Sequence, residues 1–238
     1  MIDKKLELSK VSVPVLLTPR LTAVITTIDA KGRVNAAPYS FFTPISYAPP
    51  RVCFAVGYYK HNDLVYFEPG GKEPSAAEVL ALEEYAGETV NTHKDTLANI
   101  MEQGEFGVNI LPIEYLHQVE ITSGVFPHGI NEIEMAELTP YPSTKIKPPL
   151  IQEAIVGLEC VKVADYIVDP SQYWVTLIIG EGVVVHVDSD IMEGDMIKHE
   201  RMRSILELAS DFYGVCTDFR YEEYIRNAEA IAMLKSRG

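Results

Sequence analysis

The 238-residue chain carries 34 acidic against 20 basic residues, a formal net charge of −14, and 47% of its residues are hydrophobic. That length suffices for one large domain or two small ones with a well-buried core. The acidic balance argues against nucleic acid as a partner, because it repels phosphate backbones at long range, although a few local donors can still hold a small anion. No apolar run approaches the roughly 20 residues that span a bilayer, so no membrane partner is expected. The opening MIDKKLELSK lacks the apolar core of a secretion signal, and a cytoplasmic location is the default expectation. Cys53, Cys160 and Cys216 stand far apart, as buried thiols would, and the histidines (61, 93, 117, 128, 186 and 199) show no ligand spacing. No metal is expected.

Taken in chain order, the β-branched run Ala23 to Thr27, a turn at Asp29 to Gly32 and a second extended run predict a hairpin. PPRVCFAVGYY (49–59) predicts a third strand and EFGVNIL (105–111) a fourth. Between them Leu97, Ile100 and Met101 fall at helical spacing, with Gly104 placed as a C-terminal cap. A helix is expected from about 95 to 103, its N-cap at Asp95 or Thr96. Residues 60–93 read as an excursion, a turn-rich loop and then an acidic helix with capping-box spacing at Ser75 and Glu78.

Beyond a proline-rich crossing (PSTKIKPP), AIVGLECVKVADYIV and YWVTLIIGEGVVVHVD predict two long strands. The second should be bulged at Gly180-Glu181-Gly182. Two amphipathic helices are expected near 195–212, with Met202, Ile205, Leu206 and Ala209 on one face, and near 221–235. The pattern predicts a mainly β fold, an antiparallel barrel with peripheral helices rather than a parallel α/β sheet.

The stretch GRVNAAPYSFF (32–42) places small residues where a core strand would carry large ones. Ala36 and Ala37 would let a flat ligand approach the backbone, and Pro38 would disrupt regular pairing. Asn35 and Ser40 offer side-chain hydrogen bonds, and Tyr39, Phe41 or Phe42 can cover a ring. A proline-bearing edge strand whose aromatics fill the core explains the same residues. The helix start at THKDT (92–96) brings free N–H groups, the Thr96 hydroxyl and the Lys94 charge together, a setting for an anion. Asp95 would oppose that anion unless its carboxylate is occupied. His93 adjoins this point, and His128 lies on the glycine-bearing loop SGVFPHGINE, from which it could reach a dimer cleft.

AVITTIDAKGRVNAAPYSFFTPISYAPPRVCFAV, KDTLANIMEQGEFGVNIL, GLEC and IIGEGVVVHVD, in that order, resemble the flavin reductase-like family, which includes flavoredoxins and the reductase components of two-component flavin monooxygenases. The resemblance covers most of residues 12–190. It implies an FMN-binding split β-barrel of Greek-key type over residues 1–190, the 60–93 segment inserted, followed by a helical extension over 191–238. It also implies a homodimer with flavin near the subunit interface. Asn35, Ala36, Ala37, Pro38, Tyr39, Ser40 and Phe41 would line the ring; Lys94, Asp95, Thr96 and Asn99 would lie at the phosphate and ribityl end. Reductases of the family often carry a histidine where SQYWVTLIIGE has Tyr173 and Trp174.

Flavin performs its own redox chemistry, so no protein nucleophile or acid–base set is required, and no catalytic residue is assigned. The expected function is an FMN-dependent oxidoreductase drawing on NAD(P)H and passing electrons to free flavin, a monooxygenase or electron-transfer partner, or a small acceptor. A non-enzymatic flavin-binding electron carrier, and a binding module for another ligand, account for the same residues.

Overall fold

The computed structural model describes residues 16–59, 94–124, 126, 128–168, 173–209 and 212–217. The 60–93 excursion with its acidic helix, His61, His93 and the helix expected near 221–235 lie outside them. The strands are β1 Arg20–Leu21, β2 Ala23–Ile28, β3 Val34–Tyr39, β4 Phe42–Tyr47, β5 Pro50–Tyr59, β6 Glu105–Ile110, β7 Pro140–Tyr141, β8 Leu150–Ile151, β9 Val156–Ile167, β10 Tyr173–Val187, β11 Met192–Glu193, β12 Met196–Ile197, β13 Leu206–Ala209 and β14 Phe212–Gly214. The helices are α1 Asp95–Gln103, α2 Leu116–Thr122, α3 Glu132–Met135 and α4 His199–Met202.

The fold is mainly β. A seven-stranded sheet runs in the order β3-β2-β6-β9-β10-β5-β4, every pairing antiparallel. Its two edges, β3 and β4, are consecutive in the chain and joined only through Ser40 and Phe41. Such a link reaches at most about 11 Å, whereas a flat sheet of this width would separate its edges by about 29 Å. The sheet is therefore curled until its edges approach.

Inside the curl lie Ile25, Tyr39, Val52, Phe54, Phe106, Val108 and Ile178, closed by Leu97 and Ile100 of α1. Tyr39, Phe54 and Phe106 form a line of tilted rings with centroids 5.2 and 5.4 Å apart. A second core gathers Val24, Ala36, Val119, Ile133, Ala136 and Ile205 on the other side of β2 and β3. Side chains alternate along a strand, so β3 presents Asn35, Ala37 and Tyr39 to one core and Val34, Ala36 and Pro38 to the other.

Four sequence expectations are corrected by these elements. The run after Gly32 is two strands, broken at Ser40 and Phe41. The N-cap of α1 is Lys94, without a side-chain cap bond, rather than Asp95 or Thr96. Pro38 does not disrupt the ladder: it pairs opposite Val24 in unbroken register, because β3 is an edge strand and the missing N–H faces away from β2.

The last correction concerns the helix expected near 195–212. Among the described residues of that range only His199–Met202 is helical, since Arg203 takes a left-handed φ of 45°. Ile205 then exchanges backbone bonds with Leu111 and Thr22, and Leu206–Ala209 pairs with β1 and β14. Tertiary pairing overrides a helical spacing of apolar residues there. Elsewhere, Gly104 caps α1 at φ 74°, and the β9–β10 register shifts between Ile179 and Gly180 and between Gly182 and Val184.

The proline-rich crossing is pinned from below by Glu159, 0% exposed. Its carboxylate accepts the N–H groups of Thr144 (2.8 Å), Lys145 (2.6 Å) and Ile146 (3.2 Å), the Thr144 hydroxyl, and a 2.7 Å bond from His186 Nε2. Burial alone would raise its pKa, but these donors outweigh it and hold the carboxyl at about 2. Among the described residues no helix is long and apolar enough to cross a membrane.

Candidate functional site

The N-terminus of α1 sits against β2 and β3, on the face that carries Asn35, Ala37 and Tyr39. Asn35 Nδ2 donates to Thr27 Oγ1 at 3.2 Å and to Thr96 Oγ1 at 3.0 Å. Asn99 Nδ2 donates to the same Thr27 oxygen at 3.0 Å. All four side chains are buried. This polar cluster fixes the first turn of α1 to the strand with little rotational freedom. In that turn the N–H groups of Leu97 and Ala98 bond the Lys94 carbonyl. Those of Asp95 and Thr96 have no partner among the described residues, as helix geometry requires of a first turn.

A second network runs beside it. The Asp29 carboxylate closes the β2–β3 turn by accepting the N–H groups of Lys31 (2.9 Å) and Arg33 (2.8 Å) and the Arg33 Nε–H (2.7 Å). Arg33 reaches on to His128 Nε2 at 2.7 Å, and His128 Nδ1 meets Asp95 Oδ1 at 2.7 Å. A guanidinium only donates, so Nε2 accepts and Nδ1–H donates to Asp95, which makes His128 the neutral tautomer. Gly129, at φ 90°, lets Arg33 cross: a Cβ there would stand 2.5 Å from Arg33 Nη1. The third link is Glu132, whose Oε2 accepts the Ala36 N–H at 2.9 Å.

Tyr39 completes the face. Its ring lies in the core under the Lys94 ammonium, 5.7 Å from the ring centroid. Its hydroxyl is buried near Thr96 without reaching hydrogen-bond geometry, so it is left unpartnered. Burial, chiefly, raises the phenol further above its ordinary value. Among the described residues no cluster of three or more His, Cys, Asp or Glu could hold a metal ion.

The family model for the flavin reductase like domain matches residues 16–206. The chain belongs to the flavin reductase-like family. An uncharacterized protein of Aquifex aeolicus (strain VF5) is 30% identical over 199 residues, 83% of this chain and 85% of that one. Among solved structures, nitrilotriacetate monooxygenase component B from Bacillus cereus matches with a TM-score of 0.71 and 26% identity, covering 93% of this chain and 100% of its own. Flavoredoxin of Desulfovibrio vulgaris (Miyazaki F) shares the fold, with a TM-score of 0.66 at 16% identity over 92% of this chain and 97% of that chain.

Within this flavin reductase-like chain, the residues singled out from sequence separate into groups. Asn35, Thr96 and Asn99 form one bonded cluster, with Tyr39 and the exposed Lys94 beside it. Asp95 is bound by His128, which places His128 at the start of α1. Ala37 shares the face of Asn35 and Tyr39. Ala36 and Pro38 face away: Ala36 is fully buried in the second core, where its small side chain admits α3. Ser40 and Phe41 form the link between the sheet edges, with Arg20 stacked over the Phe41 ring at 5.3 Å. Sequence reasoning missed Thr27, Asp29, Arg33 and Glu132. The Asp29–Arg33 pair had a signal, an Asx-type turn ahead of Gly32; the other two had none.

Proposed function

We propose that this chain is an FMN-dependent oxidoreductase, with the isoalloxazine along the Asn35–Phe41 stretch and the phosphate at the first turn of α1. The observation that carries the reading is the Asn35–Thr96 bond. It locks a helix N-terminus, suited to an anion, onto a strand face of small and aromatic side chains. The residues present fit the group. Asp95 and Thr96 offer N–H donors, Lys94 a positive charge, and the orphaned Tyr39 hydroxyl a buried polar contact. The anion-opposing charge of Asp95 is engaged by His128.

FMN, when bound, supplies the electron transfer itself. The protein's own work is to hold the ring and tail, cover one face and set the polarity around the other. Asn35, Thr96 and Asn99 keep α1 in register with β3, Lys94 balances the phosphate, and Ala37 leaves room for the ring. NAD(P)H is the electron donor, and free flavin, a monooxygenase or electron-transfer partner, or a small acceptor receives the electrons in the cytoplasm.

The curled sheet is taken to close as a split β-barrel of Greek-key type, which its two-residue link between opposite edges supports. A second copy of the chain is taken to cover the exposed valines at 183, 185 and 187 on one face of β10. A contiguous exposed apolar row of this kind favours association. The test is anaerobic stopped-flow absorbance of the FMN-loaded protein mixed with NADH or NADPH. Fast bleaching with either supports the oxidoreductase. Stable flavin binding with slow bleaching by both marks an electron carrier instead. Ala37→Leu should lose flavin while keeping its fold by circular dichroism; full flavin occupancy in that variant contradicts the ring placement.

A further inference from the structure

Glu132 opens the short helix α3 and is 6% exposed. Burial pushes its carboxyl up to about 7, and the neighbouring charge it feels, Asp95 of α1, is another acid. From β3 it is faced by Tyr39, and through Asp95 by His128 and Arg33; α2 packs beside α3 with apolar Leu116 and Val119 in the second core. A carboxylate so placed costs folding stability that a neutral residue would not, which is a mark of groups kept for a site rather than for the fold. Its position says which part of the site. Ala36 and Pro38 share the direction away from β2 on an edge strand, and Pro38 has no N–H. Within Asn35–Tyr39 the outward edge thus offers a single N–H, that of Ala36, and Glu132 holds it.

We propose that Glu132 is a positioning residue: by holding the Ala36 N–H it sets the backbone of β3, and with it the Asn35 side chain that reaches Thr96 on α1. The assignment rests on the flavin reading of the same site for its consequence and on the Ala36 bond for its cause. Ionised, Glu132 accepts the N–H strongly; protonated, it accepts weakly and the strand is held less firmly. The amide introduced by Glu132→Gln would keep a weak acceptor of the same shape at every pH.

The experiment follows the Ala36 amide by 1H–15N NMR, and FMN affinity by fluorescence titration, in the parent, Glu132→Gln and Glu132→Ala proteins between about pH 6 and 8. The Ala36 amide should shift with pH in the parent and stay fixed in Glu132→Gln. Parent affinity should fall toward that of Glu132→Gln as pH drops, and Glu132→Ala should bind FMN about tenfold more weakly, with the Glu132→Gln variant recovering most of the loss. The titration of the FMN phosphate is common to all three and cancels in the comparison. An amide that does not titrate overturns the proposal, as do parallel affinity profiles in parent and Glu132→Gln. If Glu132→Ala fails to fold, the Glu132→Gln variant decides alone. Failure of the parent to take up FMN sinks the flavin reading, and the amide titration then judges the Glu132 bond by itself.

Discussion

Glu132 and Glu159 are both buried carboxylates that accept backbone N–H groups, yet one is pushed up to about 7 and the other held at about 2. Burial opposes the charge in both. Glu159 lies under a single surface loop and gathers three N–H groups, a hydroxyl and an imidazole nitrogen. Glu132 holds the Ala36 N–H, reinforced by its own helix-start N–H, and faces a second acid. Donor count decides the sign. The first glutamate secures a loop; the second sits where the proposed site is assembled and is tolerated at a cost.

The largest expected effect is on Glu159. Glu159→Gln cannot satisfy donors arranged for two acceptor oxygens, and should lose about 3 kcal/mol of stability in urea unfolding at neutral pH. Because the folded carboxyl is depressed, its contribution is present above the unfolded value near 4.5 and is lost as pH falls toward 2. The parent, but not the variant, should therefore show a steep acid loss in that window. Glu132→Gln should do the opposite. A raised folded value means the charge weakens the fold progressively as pH rises from about 4.5 through 7. The variant should thus gain about 2 kcal/mol over the parent at pH 8 and nothing at pH 4. Equal pH profiles for the two variants would break the contrast. The smallest effect is at His128: His128→Ala removes its bonds to Asp95 and Arg33, and should cost about 1 kcal/mol in the same unfolding measurement.

Much of this scaffold was legible in the residues. The β2–β3 hairpin follows from its β-branched run and the turn before Gly32, α1 from its apolar spacing and Gly104, and the β10 irregularity from Gly180 and Gly182. These are local signals, and local geometry expresses them. The glutamates show why the rest was hidden. Glu132 sits in NEIEM like any solvent-facing acid, and only the packing of α3 on Ala36 buries it. Asp95 and His128 are far apart in the chain, and nothing local pairs them. At the C-terminal end the helical spacing of Met202, Ile205 and Leu206 was real, but β1 and Leu111 claimed that backbone first. Strand alternation also divides NAAPY between two cores, so Ala36 is small for a helix while Ala37 packs against the first core.

The most direct test of the proposed flavin site is an FMN fluorescence titration of the parent beside the Lys94→Ala, Thr96→Ala double variant. The account predicts saturable binding by the parent and a loss of about 1–3 kcal/mol in the variant, the scale of charge-assisted hydrogen bonds to a phosphate. Binding of equal strength in both proteins would contradict it.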